Sequence, residues 1–555
     1  MADADAEAIR METGAGAAAA GGAAPRGAGG AARRLPHVDG FARLPGPGDP
    51  GPARPKHEGK ALRSHTPRSA HARYAPDDHR PDPVQVIEET NRGRIPELAP
   101  LRVGRMAASP FAFLRGAAGL MAYDLARTPL TGIGAQICGD AHAANFGLYG
   151  DARGGLVIDL NDFDETVHGP WEWDVKRLAT SLVLAGREGG AKEDACKEAA
   201  YDAVGAYRRT MRLLAKLPAL DAWNAIADEE LVSHTDARDL LGTLDRVSEK
   251  ARQNTSARFA AKATEPVPDA YEGSGGVGGS GGVGGSGGVG GSGGVGGSGG
   301  ADGSGGADGF DGRAGVTAGR VTARRFVDAP PVLRRVPDAE AAAVAAALGP
   351  YRATLTEDRL PLLARYAIQD VAFRVVGTGS VGLRSYVVLL LDHRGEPLVL
   401  QVKEACPSAL LPHLPVAGFK EQGDGGGHGG SAGHEGRRVV LGQKRMQVVS
   451  DFLLGWTTIS GRPFQVRQFR NRKGSVDPAA LAADQLDDYG RMTGALLARA
   501  HAHSADPRLI AGYCGKNDEL DEAVADFAVT YADRTEADHD RLLAAVREGR
   551  LRAEA

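Results

Sequence analysis

The chain has 555 residues, of which 78 are Gly and 31 Pro, and long tracts are almost pure Gly, Ala, Ser and Pro, too poor in large apolar side chains to fold. A formal net charge of −4 offers no global basic field, which argues against capture of nucleic acid or of an anionic membrane surface. Cys138, Cys196, Cys406 and Cys514 lie far apart with no C-x-x-C pair, against a disulfide framework or a thiolate zinc site, and no apolar run approaches the ~20 residues of a membrane span.

The N-terminus shows no apolar signal core, so a cytoplasmic protein is expected. Residues 1–80 read as a disordered arm, because Ala, Gly, Pro and Arg dominate it and burial cannot offset the ordering entropy. Residues 81–265 read as a large helical lobe: helical spacing over 82–102, a Ser-Pro start and a buried helix over 109–126, and another helix over 171–188. Between these helices, short apolar segments at 133–138, 146–149 and 156–160 read as strands around a loop. The GGVGGS repeat makes 266–330 a flexible insertion, since no repeat unit has a face to bury. Residues 331–475 read as a smaller lobe, with strands and Gly-rich turns over 373–405, a helix over 437–455 and a strand over 463–471; residues 476–555 return to helix. His428 and His434, on a second Gly-rich loop without a third ligand, read as solvated rather than metal-bound.

The stretch CGDAHAANFG places Asp140 and Asn145 in the spacing D-x-x-x-x-N, and VIDLNDFDE adds Asp159, Asp162 and Asp164 after it. Carboxylate and amide oxygens are what magnesium takes from a protein, its other ligands being waters and phosphates. In phosphoryl transfer an Asp accepts the hydroxyl proton, an Asn holds one metal ion and an Asp-Phe turn holds the other. On that template Asp140 is the candidate base, and Asn145 and Asp162 the candidate magnesium ligands. Asp162 is preferred to Asp159 because Ile158 and Leu160 alternate inward and leave Asp162 at the strand's end.

VVGTGSVG supplies a second signal: Gly377, Gly379 and Gly382 spell G-x-G-x-x-G and lead into the strand SYVVLLL rather than a helix, which favours a phosphate-covering hairpin over a dinucleotide crossover. Lys403, in the alternating strand LVLQVKEA, is placed to reach phosphates under that turn.

These parts occur in an unexpected order, the glycine turn and lysine following the base and metal ligands. The matching stretches RMAASPFAFLRG, CGDAHAANFG, LNDFDETVHGPWEWDVKRLATSLV, VVGTGSVG, LQVKEA and ARAHAHS resemble the bacterial family catalogued as domain of unknown function 2252, itself similar to the protein kinase and aminoglycoside phosphotransferase superfamily. The resemblance implies an α+β, kinase-like two-lobe fold, with its parts circularly permuted. It carries Asp140, His142 and Asn145 onto the H-G-D-L-H-x-x-N pattern, with Cys138 standing for the first histidine, and makes Asp174 a downstream structural acid. The acid expected to pair with Lys403 is Glu435 or, less favourably, Glu404. The implied activity is an ATP- and magnesium-dependent phosphotransferase acting on a hydroxyl of a small-molecule acceptor; the alternatives are a pseudokinase or nucleotide-binding scaffold, and a nucleotidyl transferase.

Overall fold

The computed structural model describes residues 54–224, 238–267, 323–415 apart from Val376 and Thr378, and 433–554. The repeat-rich part of the 266–330 insertion, His428 and residues 1–53 lie outside the described residues.

The segment after residue 53 is ordered, contrary to the expected disordered arm. Helix α1 (Pro55–Ala61) and a 3-10 turn at Arg68–Ala72 lie on the C-terminal helices. Two glycines allow backbone-to-backbone approach: a Cβ at Gly59 would strike the Leu509 carbonyl, and one at Gly512 the Lys56 carbonyl. Polar groups complete the contact. Arg63 Nε donates to Tyr513 O at 2.8 Å, Arg68 Nη1 to Cys514 O at 2.9 Å, and His71 Nε2 meets Tyr513 Oη at 2.7 Å. Further on, Arg80 Nε donates to Asp124 Oδ1 at 2.8 Å and its Nη2 to Asp538 Oδ2 at 2.6 Å, all three side chains at most 3 % exposed. Composition missed this segment because small residues and arginines, rather than large apolar groups, carry the packing.

Helices α2 (Pro83–Asn91), α3 (Ala99–Ala107), α4 (Pro110–Gly116) and α5 (Ala118–Leu125) follow. Asp82 caps α2 by accepting Val84 N–H, and Ser109 caps α4 by accepting Ala112 N–H, each with Pro at the next position. The single helix expected over 109–126 is broken at Ala117, whose backbone (φ −122°, ψ 38°) leaves the helical region. Strands β1 (Gly134–Ile137) and β4 (Val167–Pro170) form one antiparallel pair, and β2 (Phe146–Gly150) and β3 (Leu156–Leu160) another. Helices α6 (Trp171–Glu188) and α7 (Glu193–Leu214) come next, and α6 begins and ends where the sequence pattern placed it.

Helix α8 (Ala219–Asn224) precedes the undescribed stretch 225–237, beyond which lie α9 (Leu241–Arg252) and α10 (Ser256–Ala263). β5 (Thr264–Pro266) pairs with β6 (Arg324–Phe326), so residues at both margins of the expected insertion are built into a ladder. Then come β7 (Leu333–Arg335), α11 (Asp338–Ala346), α12 (Leu348–Arg352), α13 (Leu360–Leu363), β8 (Ala367–Arg374), β9 (Ser385–Leu391), β10 (Pro397–Glu404), α14 (Glu435–Met446), β11 (Gly455–Ile459), β12 (Arg462–Gln468) and β13 (Gly474–Ser475). α14 stops at Met446, short of the helix expected to Gly455. Asp451 instead organises the following loop, accepting Leu453 N–H at 2.9 Å and Gln468 N–H at 2.6 Å. Helices α15 (Ala483–Ala502), α16 (Pro507–Cys514) and α17 (Glu519–Arg547) complete the chain.

The architecture is mixed α and β. A six-stranded antiparallel sheet runs in the order β11-β12-β10-β9-β8-β7. One face buries Val388, Leu400, Val402 and Val466 against Val344, Leu348 and Tyr351 of α11 and α12. The other buries Val387, Leu389 and Val399 against Ala260 and Phe326, which ties α10, assigned by sequence to the large helical lobe, to the sheet instead. The largest core joins α6, α7, α15, α16 and α17 with β1 to β4. β13 extends the β2-β3 hairpin, so a strand from late in the chain completes a sheet begun early.

Helix α6 carries a buried charge with a measurable consequence. Lys176 is 1 % exposed, bonds Thr128 Oγ1 at 3.2 Å and lies 4.4 Å from the Phe527 ring centre. Burial pulls its ammonium down to about 7, with Glu172 opposing the shift. The unfolded chain titrates this group near 10.4, so between pH ~7 and ~10 the unfolded state binds more protons and stability rises with pH, by up to about 1.4 kcal/mol per unit. Lys176→Met is expected to flatten that slope and to raise stability at pH 7 by about 2 kcal/mol or more. Denaturant titrations of both proteins at pH 7, 8, 9 and 10 check this; parallel profiles would remove Lys176 as the cause.

Candidate functional site

The loop after β1 is fixed from below by α6. Asp174 Oδ2 accepts Cys138 N–H at 2.6 Å and Oδ1 accepts Gly139 N–H at 2.9 Å, while His501 Nε2 approaches Oδ2 at 3.3 Å. Gly139 is in the left-handed region (φ +78°), and a Cβ there would also strike the Glu165 carbonyl. Asp174 thus holds the turn that presents Asp140.

Asp140 Oδ1 accepts from Arg177 Nε at 2.6 Å, and its Oδ2 lies 3.8 Å from His142 Nε2. Burial drives His142 down to about 4, outweighing Asp140 and aided by Arg115 and Arg177, so the ring is neutral near pH 7. Asn145 is a staple: its Nδ2 donates to the carbonyls of Asp140 (3.0 Å) and Asp162 (2.9 Å), and its Oδ1 accepts Asp162 N–H at 2.8 Å. Cys138 Sγ also meets Asp162 O at 3.2 Å, joining the two loops.

On β10, Lys403 is opposite Ser385 of β9 and Gln465 of β12, in the middle of the sheet and 2 % exposed. Its ammonium lies 3.4 Å from Asp162 Oδ1 and 2.5 Å from Asp164 Oδ2, across a sequence separation of 241 residues for the first pair. The expected partners are corrected: Glu404 pairs with Arg384 (3.2 Å) and Arg462 (2.9 Å), and Glu435 with Arg438 (2.5 Å). Glu404 points away from Lys403 because adjacent strand residues face opposite sides of the sheet. Asp159, buried at 1 %, pairs with Arg499 at 2.5 Å and is turned from the cleft.

Burial would raise the Asp162 carboxyl, but Lys403, Arg467 and Lys473 outweigh it and hold the group well below the usual carboxylate range. Burial also opposes the charge of Lys403, which Asp162 and Asp164 restore and raise. Asp164 is engaged further by Ser380 Oγ at 3.1 Å and Gln465 Nε2 at 3.0 Å. Arg438 of α14 donates to the carbonyls of Asp164 (2.8 Å) and Thr166 (2.7 Å), a support that the sequence reading missed because it lies far along the chain.

The glycine turn joins β8 to β9, an antiparallel pair, and lies on the α2–α3 region. Gly377 (φ +66°) and Gly382 (φ +87°) adopt left-handed backbone, and Gly377 O accepts from Arg105. Gly382 O accepts Ile95 N–H at 2.8 Å, and a Cβ on Gly379 would come within 3.3 Å of Arg115 O. Asp140, Asn145, Asp162, Gly377 and Gly379 line one cleft of about 600 Å³. Gly382 borders it through Arg94, and Lys403 beneath it through its carboxylate partners.

A family model matches residues 94–272 and 312–545, which include both the Asp140 loop and the Lys403 strand. The chain belongs to DUF2252, the family described as an uncharacterized protein conserved in bacteria. No curated protein and no solved structure matches it. The Arg80 tie falls outside the family match, whereas Arg94 and the residues of the cleft beyond it fall inside.

Among the described residues no group of three or more His, Cys, Asp or Glu side chains is arranged to hold a metal ion, and no helix is long and apolar enough to cross a membrane. His434 caps α14, its Nδ1 accepting Arg437 N–H at 3.1 Å and its Nε2 meeting Thr458 Oγ1 at 3.1 Å, rather than standing in solvent as expected. Magnesium fits the donor set at Asp162, a half-exposed carboxylate with one further amide oxygen, Asn145 Oδ1, already accepting one N–H. Such a set suits an ion whose remaining ligands are waters and phosphates.

Proposed function

We propose that the chain is an ATP- and magnesium-dependent phosphotransferase acting on a hydroxyl of a small-molecule acceptor, with a kinase-like two-lobe design whose parts are joined in permuted order. The observation that carries this reading is the meeting of Lys403 with Asp162 and Asp164 beneath a glycine turn, in a cleft that also holds Asp140. In it, Gly377, Gly379 and Gly382 let backbone approach the nucleotide's phosphates, Lys403 neutralises them, and Asp162 with Asn145 would hold magnesium. Magnesium would supply charge neutralisation at the transferred group. Asp140 Oδ1 is anchored by Arg177, which leaves Oδ2 to accept the acceptor's hydroxyl proton.

Purified protein is expected to consume ATP with a hydroxylated metabolite, and Asp140→Asn to lower that rate about a hundredfold or more while thermal protection by ATP and magnesium persists. An unchanged rate in the variant would remove Asp140 from this role. The clamp of Arg177 on Asp140 favours one further reading, a nucleotide-binding scaffold, in which ATP protects the protein but is not consumed. Product mass separates phosphoryl from nucleotidyl transfer, the other enzymatic outcome.

A further inference from the structure

We propose that the acceptor carries an anionic group, a phosphate or a carboxylate, held where Arg102, Arg115 and the start of α5 line the cleft; this rests on the phosphotransferase reading. The acids of the cleft are largely engaged already. Asp140 is bonded by Arg177, Asp162 and Asp164 by Lys403, and Glu404 by Arg384 and Arg462. Glu165 accepts from Ser408 Oγ at 3.0 Å and Ala409 N–H at 2.7 Å.

The cations are not matched in the same way. Arg102 is 2 % exposed, yet its guanidinium donates only to neutral oxygens: Asn91 Oδ1 at 2.8 Å, Thr90 Oγ1 at 3.3 Å and Gly116 O at 2.9 Å. Its buried Nε has no partner, and burial pulls the group down to about 9. Arg115 sits 5.8 Å from the Phe111 ring centre, its Nε buried and unpartnered, and it pairs with no carboxylate among the described residues. Arg102 is buried with only the more distant charge of Glu165 to offset it, and such a guanidinium is costly, so an anion entering the cleft relieves that cost.

Arg115 stands between the glycine turn, where Gly379 borders its carbonyl, and the candidate base. Phe111 contacts His142 edge-on at 6.3 Å, and His142 neighbours Asp140, so a group bound by Arg115 sets the rest of its molecule beside the candidate base. Ala118 and Gly119, which open α5 without a side-chain cap, line the same part of the cleft and add the positive end of a helix. Lys473, by contrast, stands with Asp162, where the nucleotide's phosphates and magnesium would lie.

The test is calorimetric titration of inorganic phosphate, and separately of malonate, into the full chain saturated with a non-hydrolysable ATP analogue and magnesium. Saturable binding of at least one anion is expected, weakened tenfold or more in Arg115→Met and within threefold of wild type in Arg325→Met, which removes a surface charge outside the cleft. The preferred probe tells a phosphate group from a carboxylate. Arg102→Met is the second variant, accepted only where circular dichroism shows an unchanged fold. Absence of binding by both anions, equal binding in Arg115→Met, or displacement of the anion by the analogue would overturn the proposal, the last by giving these arginines to the nucleotide. Should the analogue itself not bind, the phosphotransferase reading fails, and the same titrations without it still decide whether Arg115 holds an anion.

Discussion

Arg80→Met is expected to destabilise the folded chain by about 3–5 kcal/mol at neutral pH, because it takes from buried Asp124 its counter-charge and from buried Asp538 the nearer of two. Asp124 would keep only Tyr531 Oη, at 2.7 Å, and Asp538 only Arg534, at 3.2 Å. Burial already raises the Asp538 carboxyl against the pull of Arg80, so in the variant Asp538 should take up a proton more readily. A group whose folded pKa rises loses less stability as pH falls, and the deficit of Arg80→Met should therefore narrow between pH 7 and pH 5. Adding Asp124→Asn and Asp538→Asn to the variant should restore most of the loss. Urea denaturation at both pH values checks these outcomes; a deficit below about 1 kcal/mol would mean that the residues before α2 contribute little to the fold.

On the proposed phosphotransferase reading, Lys403→Met is expected to lower ATP turnover a hundredfold or more, the scale seen when one preorganised charge-stabilising donor is removed. The variant leaves Asp162 and Asp164 facing each other without the ammonium between them, so the Asp162 carboxyl should rise from its depressed value. Lys403→Arg should not rescue the rate, since strands on both sides bury the lysine and leave no room for a planar fork. Turnover with an acceptor, and nucleotide affinity by thermal shift, measure the two effects separately. Turnover within threefold of wild type would exclude Lys403 from phosphate neutralisation.

Strongly patterned elements were legible in the sequence. WEWDVKRLATSLVLAGRE reads as helix from its first residue to its last, and the G-x-G-x-x-G turn falls between the paired strands β8 and β9 as its flanking sequence implies. Lys403 and Asp162, each singled out in the sequence, are brought together by the fold. The lysine's closer partner was not legible: Asp164 lies beside Asp162 in sequence and was overlooked in favour of glutamates along the Lys403 strand and helix. Period-2 alternation already sets Glu404 on the opposite face. The N-terminal contacts were hidden for a different reason, since glycine-to-backbone packing and arginine-to-carbonyl bonds leave no apolar pattern to read. Nothing in the spacing of the chain marks Arg102 and Arg177, which the fold buries.

The ladder of β5 with β6 bears on how the chain tolerates changes in length. Val267 N–H donates to Ala323 O at 2.8 Å, so residues 267 and 323 are one hydrogen bond apart. Where two ends are already neighbours, each doubling of the intervening length adds only about 0.6 kcal/mol of closure entropy. Lengthening or shortening the sequence between Val267 and Ala323 is thus expected to change the closure entropy of this chain by little.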